Sequence, residues 1–507
     1  MQGWNGAQAT QDFHVGIGSL LGGGTQALSI NTALGNAGNG ANIRVGAGTY
    51  AENVVVNNPY NLYFSGSTLH SLALNAGAGG SGIAGTVTAD GAGGIVFQAP
   101  VSLLGDTTLA TLGADITLNG DIQNAGGTAR ALSLLAGSGA NRGNVHMLSG
   151  GTEANALGQF EVVSSAFSLD STLWVKGYGI DALGNVALSN HTLRGQDASA
   201  TNTLNAGGDV SGSTISQGTV QVTSGGDVSA NVTASEVAVA AVGDVSGTTT
   251  SQGNVQISSS TGDISGNISG SNVTVQAQGD ISATTTSVGN VQVSSSTGNV
   301  SGSISGTSVV VQAQGDISAT TTSAGNVQIS SSTGNVSGSI SGSNVVVQAP
   351  QGDVNVVVVA SNSASLAGES VVASVAAPVV AVAAVGDAQV TGSSSQITVT
   401  AASGSVSGNF GQVTNSGGGL VNVNGKPQGN QQLSSNAENN RVIPSGSNLA
   451  EGAPAEQPVL QLAQAAGLVG DTEVRTVRSS PSGAGEALNN GQAVELDMSP
   501  KNEREKE

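Results

Sequence analysis

The sequence predicts an all-β chain wound as an elongated parallel β-helix, a β-solenoid of roughly 17–20 residue coils. Three observations carry that prediction. From Gly243 the chain reads GDVSGTTTSQGNVQISSSTGDISGNISGSNVTVQAQ, and close copies begin at Gly279 and Gly315, a period of 36 residues. The last two copies differ at five of 36 positions, and looser copies start at Gly208 and Gly352. Within each repeat, Gly-Asp or Gly-Asn pairs at Gly243, Gly262, Gly279, Gly298, Gly315 and Gly334 lie 19, 17, 19, 17 and 19 residues apart, so one repeat is two coils. Finally, eleven of the 12 aromatic residues fall before residue 179 and only Phe410 beyond it, so any later core is made of Val, Ile, Leu, Ala and small polar side chains. A narrow interior in which each inward column stacks on its own kind needs no ring.

The elements follow in order. Residues 1–200 read as an irregular β-helix whose core contains aromatics. Ala27 to Leu34 is expected to form a short helix over the open end, covering an otherwise exposed strand edge. Ile43-Arg44-Val45, Val54-Val55-Val56 and Leu62-Tyr63-Phe64 are short strands separated by the turn residues Gly46-Ala47-Gly48 and Asn57-Asn58-Pro59.

Residues 201–425 form the repetitive solenoid. Val255-Gln256-Ile257 and Val273-Thr274-Val275-Gln276-Ala277 alternate apolar and polar at period 2, as half-buried strands do, and this density of Gly and β-branched residues opposes helix. The apolar run Val371 to Val385 is 15 residues, short of the roughly 20 a membrane helix needs, and reads as buried strands. Residues 426–507 are rich in Asn, Gln, Ser, Pro and returning charge and read as a mostly disordered tail, with a short helix expected from Val459 to Leu468.

Composition also excludes functions. Without Cys there are no disulfides, thiolate zinc sites or Cys nucleophiles. With 12 Lys+Arg against 32 Asp+Glu, and no basic residue between Arg194 and Lys426, the chain offers no cationic face for nucleic acid. Met1 to Gly6 lack the basic and apolar blocks of a signal peptide, so the expectation is a fragment of a longer exported chain, a mis-set start, or delivery by partners encoded elsewhere.

The phrases Ala114-Asp115-Ile116-Thr117-Leu118-Asn119-Gly120-Asp121-Ile122 and Leu204-Asn205-Ala206-Gly207-Gly208-Asp209-Val210, with the 17/19 alternation, resemble the filamentous haemagglutinin-like exoproteins of Gram-negative bacteria over roughly residues 100–416. Ile43-x-Val45-x-x-Gly48-x-Tyr50-x-Glu52-x-Val54-x-Val56 is similar to the first coils of pectin-lyase-like β-helices. The resemblance implies a right-handed β-helix that acts as the non-enzymatic shaft of a secreted or surface-displayed adhesin. Its implied partners are host or environmental surface glycans or proteins, and an outer-membrane transporter acting in trans. The alternative is a carbohydrate-binding or carbohydrate-active β-helix contacting its ligand through residues 1–180.

Candidate chemistry is thin, and no catalytic, cofactor or metal residues are assigned. Asp106 faintly resembles a pectinesterase acid but lacks a companion. His14, His70, His146 and His191 have no metal-ligand spacing. Asp209, Asp227, Asp244, Asp263, Asp280, Asp316 and Asp353 each follow Gly at a coil corner, as a calcium ladder would require; but one carboxylate per corner falls short of the roughly six to eight oxygens calcium takes. Asn299 and Asn335 replace the acid in two coils, which turn capping explains. The triplets starting at Thr248, Thr284 and Thr320 resemble an ice-binding array, but they recur every second coil, about 9.6 Å apart. Hydrogen-bonded outer faces that solvate the rod are the expected use of these Thr and Ser rows.

Overall fold

The computed structural model describes residues 12–16, 25–27, 29–394, 396–403 and 406–410, together with five short strands between Leu420 and Leu496. It divides into two compact units, Met1–Ser260 and Thr261–Glu507. Each contains a parallel β-solenoid whose strands pair with the equivalent strands of the next coil.

In the first unit a helix, Ile30–Asn36, packs against the strands Asp12–Val15 and Gly48–Val56 and buries Ile30, Ala33 and Leu34. It begins three residues later than the sequence suggests because Ser29 is its N-cap: the Ser29 hydroxyl accepts from the Thr32 amide at 3.3 Å. Glu52, one coil away, accepts from the Ile30 and Asn31 amides and from the Ser29 hydroxyl at 3.0, 3.0 and 2.8 Å, satisfying amide groups that a helix start leaves unpaired. The buried Tyr60 hydroxyl donates to the Leu34 carbonyl at 2.9 Å and holds the other end.

The inward column Ile95, Ile116, Val145, Phe167, Val186, Val210 has rungs 21, 29, 22, 19 and 24 residues apart, all but the 19-residue one longer than the 17–20 expected. Part of the excess leaves the sheet as a hairpin, with Gly137–Ser138 pairing antiparallel to Asn141–Arg142. The Arg142 guanidinium returns across two coils to the Ser164 carbonyl at 3.5 Å and the Asp181 carboxylate at 2.9 Å. From Val210 the rungs shorten to 18 and 17 at Val228 and Val245.

The thick core ends at a buried polar junction. Leu132, Phe160 and Tyr178 stack in one column, and the next coil presents Asn202, after which Val220, Val237 and Val255 continue it. Asn202 Oδ1 accepts the Tyr178 amide at 2.9 Å, while its Nδ2 donates to Ser216 Oγ at 2.8 Å and the Thr219 carbonyl at 3.1 Å. The Tyr178 hydroxyl bonds to Thr214 Oγ1, which donates to the Leu193 carbonyl at 3.1 Å. A ring large enough to fill the wide coils thus meets narrow ones through side chains that satisfy one another.

The second unit is the regular one, with two strands per coil. Ile264, Ile281, Val300, Ile317, Val336 and Val354 form one inward column, with rungs 17, 19, 17, 19 and 18 residues apart. A second inward column runs Ile268, Thr285, Ile304, Thr321, Ile340, Val358. This corrects the reading of the Thr triplets as outer-face rows. Strand alternation turns Thr284 and Thr286 outward, and likewise Thr320 and Thr322, but Thr285 and Thr321 inward, where each is 1% exposed. The apolar run after Val371 forms strands Val371–Ala376 and Val379–Ala384, broken at Pro378. No helix among the described residues is long and apolar enough to cross a membrane. The helix expected from Val459 to Leu468 lies outside the described residues, as does most of the predicted tail. The short strands described there pair antiparallel.

Candidate functional site

The acidic corners are where the sequence concentrates charge. In the first unit the Asp209 amide donates to Asn185 Oδ1 at 2.9 Å, Asp227 to Asp209 at 2.9 Å, and Asp244 to Asp227 at 2.8 Å. In the second, Asp280 donates to Asp263 at 2.6 Å, and Asn299, Asp316, Asn335 and Asp353 each donate to the corner residue before them at 2.7 Å. The cap therefore runs between coils: each side-chain oxygen holds the backbone amide of the next corner. Asn serves as well as Asp because only a side-chain oxygen is needed.

The glycine before each corner has a matching cause. A Cβ on Gly226 would stand 2.2 Å from Asp209 Oδ1, on Gly243 2.0 Å from Asp227 Oδ1, and on Gly279 2.1 Å from Asp263 Oδ1. These glycines are not in the left-handed region, so close approach selects them. Ser224, Ser259, Ser295 and Ser331 brace the same corners from inside by donating to the carbonyls of Gly208, Gly243, Gly279 and Gly315 at 2.6 to 2.7 Å. Each aspartate corner thus offers one carboxylate with an oxygen already engaged, and the Asn299 and Asn335 corners offer none. Among the described residues no group of three or more His, Asp or Glu is arranged to hold a metal ion.

The other candidates disperse. Asp106 caps the Ala131 amide at 2.9 Å, another structural corner. His70 Nδ1 lies 2.8 Å from Asp90 Oδ1. His146 lies 2.9 Å from Ser168 Oγ and 3.5 Å from Asp170. That trio has the residue types of a hydrolytic triad, but the His–Asp separation exceeds the hydrogen bond that would orient the imidazole. His14 shares a rung with Arg44, and His191 lies in a stretch where the ladder register shifts.

Of the rings in residues 1–180, Phe13, Tyr60, Phe64, Phe97, Phe160, Phe167 and Tyr178 are core. Trp4 lies outside the described residues. Tyr50 is half-buried and tied to the Gly46 carbonyl at 3.0 Å; burial, and secondarily the Glu52 charge, raise its pKa. Tyr63 and Trp174 point outward, each beneath an arginine of the neighbouring rung. The Arg44 guanidinium lies 4.6 Å from the Tyr63 ring centre, and that of Arg194 lies 4.7 Å from Trp174.

The Trp174 neighbourhood is the more elaborate. Lys176, two residues along the same outward face, donates to Gln196 Oε1 at 3.2 Å, and Gln196 Nε2 donates to the Glu153 carbonyl at 2.7 Å. Asp197 beside them accepts from the Ser199 hydroxyl and amide at 2.7 and 2.8 Å, and those bonds hold its pKa below the ordinary value, with Lys176 adding a smaller pull. Sequence reasoning missed this group because its members lie on two coils and one loop. The available signal was that Lys176 and Arg194 are the last basic residues before the cation-free stretch.

Comparison with protein-family models, with curated proteins and with solved structures returns no match.

Proposed function

We propose that the chain is a non-enzymatic structural shaft of a secreted or surface-displayed adhesin-like protein, exported with a transporter in trans, whose length is set by the number of coils. The observation that supports this reading is the corner ladder: the same amide-to-Oδ1 bond recurs in coil after coil of both units, so a coil can be added without inventing a new contact. Small-angle scattering of variants with one 36-residue copy added or removed tests it. The maximum dimension should change by about 9.6 Å per copy. An unchanged dimension would sink the reading.

A second reading, a carbohydrate-binding β-helix, is supported by the outward Tyr63 and Trp174 rings, since half-exposed aromatics beside polar side chains suit sugar faces. Glycan binding that disappears when residues 1–180 are deleted would favour it. Product release from polysaccharide would favour the carbohydrate-active form.

A further inference from the structure

We propose that Trp174, Lys176, Arg194 and Gln196 form a binding site for a saccharide bearing a carboxylate, an inference that rests on the carbohydrate-binding reading and names its ligand class. In a chain of net charge −20, Lys176 and Arg194 come together on adjacent coils, through the rungs Trp174–Arg194 and Val175–Gly195. Neither takes part in a salt bridge, although Asp197 lies near enough to Lys176 to feel its charge. Two cations set against the single nearby carboxylate of Asp197 leave the patch net positive in an otherwise acidic chain, which favours an anion.

The groups are also held in place before any ligand arrives. The Arg194 guanidinium rests on the indole, which fixes its plane and leaves N–H groups for a planar carboxylate. Lys176 is anchored by Gln196, and Gln196 by the Glu153 carbonyl, so little side-chain freedom is lost on binding. The half-exposed indole supplies an apolar surface for the C–H face of a sugar ring. Asp197, fixed by Ser199 and exposed beside Lys176, supplies an acceptor for a sugar hydroxyl. A ring, two cations and a carboxylate acceptor within one small patch match a sugar acid better than a neutral sugar or a plain polyanion.

The test uses the full chain in isothermal titration against a sialic-acid-terminated trisaccharide, trigalacturonate, its carboxyl-reduced counterpart, and a polyglutamate peptide. Expected is saturable binding of the two acidic sugars, weakened about tenfold or more by carboxyl reduction. Lys176→Glu or Arg194→Glu should abolish it, Trp174→Ala should weaken it about tenfold, and Asp316→Asn in the second unit should leave it unchanged. Far-UV circular dichroism matched to the parent chain keeps the variants interpretable.

Polyglutamate binding as tight as the sugars would overturn the saccharide assignment. Neutral and acidic sugars binding equally, or indifference to both charge reversals, would overturn the site while leaving the carbohydrate-binding reading intact. No binding of any sugar would overturn both.

Discussion

Asp227 Oδ1 accepts the amide N–H of Asp244 at 2.8 Å, 17 residues later in the chain and one coil on. That bond turns a recurring sequence pair into a longitudinal tie, and its requirements are narrow: an oxygen two bonds beyond Cβ on one coil, and no Cβ on the glycine preceding its partner.

Asparagine should therefore substitute for aspartate, and alanine should not. Asp280→Asn is expected to stay within about 0.5 kcal/mol of the parent, whereas Asp280→Ala loses a cap on Asn299 and costs about 1 kcal/mol. Urea unfolding midpoints compared across the three proteins check this; equal losses for both variants would mean the charge matters and the cap does not.

Gly243→Ala and Asp227→Ala should be coupled. The added methyl displaces the Asp227 carboxylate, so each single change forfeits the same bond, about 1–2 kcal/mol, and the double variant should lose little more than either. Gly35→Ala, where a Cβ meets nothing within 4 Å in a helix, should instead stabilise by about 0.5–1 kcal/mol. A double-mutant cycle returning additive losses would refute the shared-contact explanation.

Thr285 and Thr321 carry buried hydroxyls without a hydrogen-bond partner, in a column otherwise filled by Ile304 and Ile340. Valine keeps the shape and removes the unpaired polar atom, so Thr285→Val and Thr321→Val are each expected to raise stability by about 1–2 kcal/mol. A lower thermal midpoint for either variant would show that the hydroxyl is satisfied in solution.

Tyr178 is buried at the polar junction, and burial raises its pKa far above the ordinary value of 10.0, opposed only in part by the Thr214 hydrogen bond. Since the folded-state pKa exceeds the unfolded one, the unfolded chain releases its phenolic proton first. The stabilisation is complete below about pH 10 and is lost as pH rises beyond it. Tyr178→Phe should flatten that alkaline limb while lowering neutral-pH stability through the lost bond to Thr214. An alkaline limb of undiminished slope would place the responsible proton elsewhere.

Legibility in the sequence follows from how local each cause is. The coil length, the β class and the corner positions were readable because a stacked coil repeats its neighbours, so each contact appears as a spacing along the chain. The 29-residue rung from Ile116 to Val145 was not, because its hairpin interrupts the period. Nor was the inward direction of Thr285, because three consecutive threonines look alike until strand alternation assigns them to faces. The Trp174 patch was hidden for a similar reason, its members being brought together only when one coil lies on the next.

By itself, then, the sequence determined that this protein stacks coils of small aliphatic side chains, with all rings but Phe410 in its first 180 residues and a Gly-Asp or Gly-Asn corner in each repeat-region coil. Only the tertiary structure decided what those corners do. The partner of Asp227 Oδ1 is an amide of the following coil, and the reason Gly243 precedes Asp244 is an oxygen of Asp227 that no reading within one turn would bring near it. Periodicity is a property of the chain, whereas the contact between successive periods exists only after the chain has closed a coil and laid the next one against it.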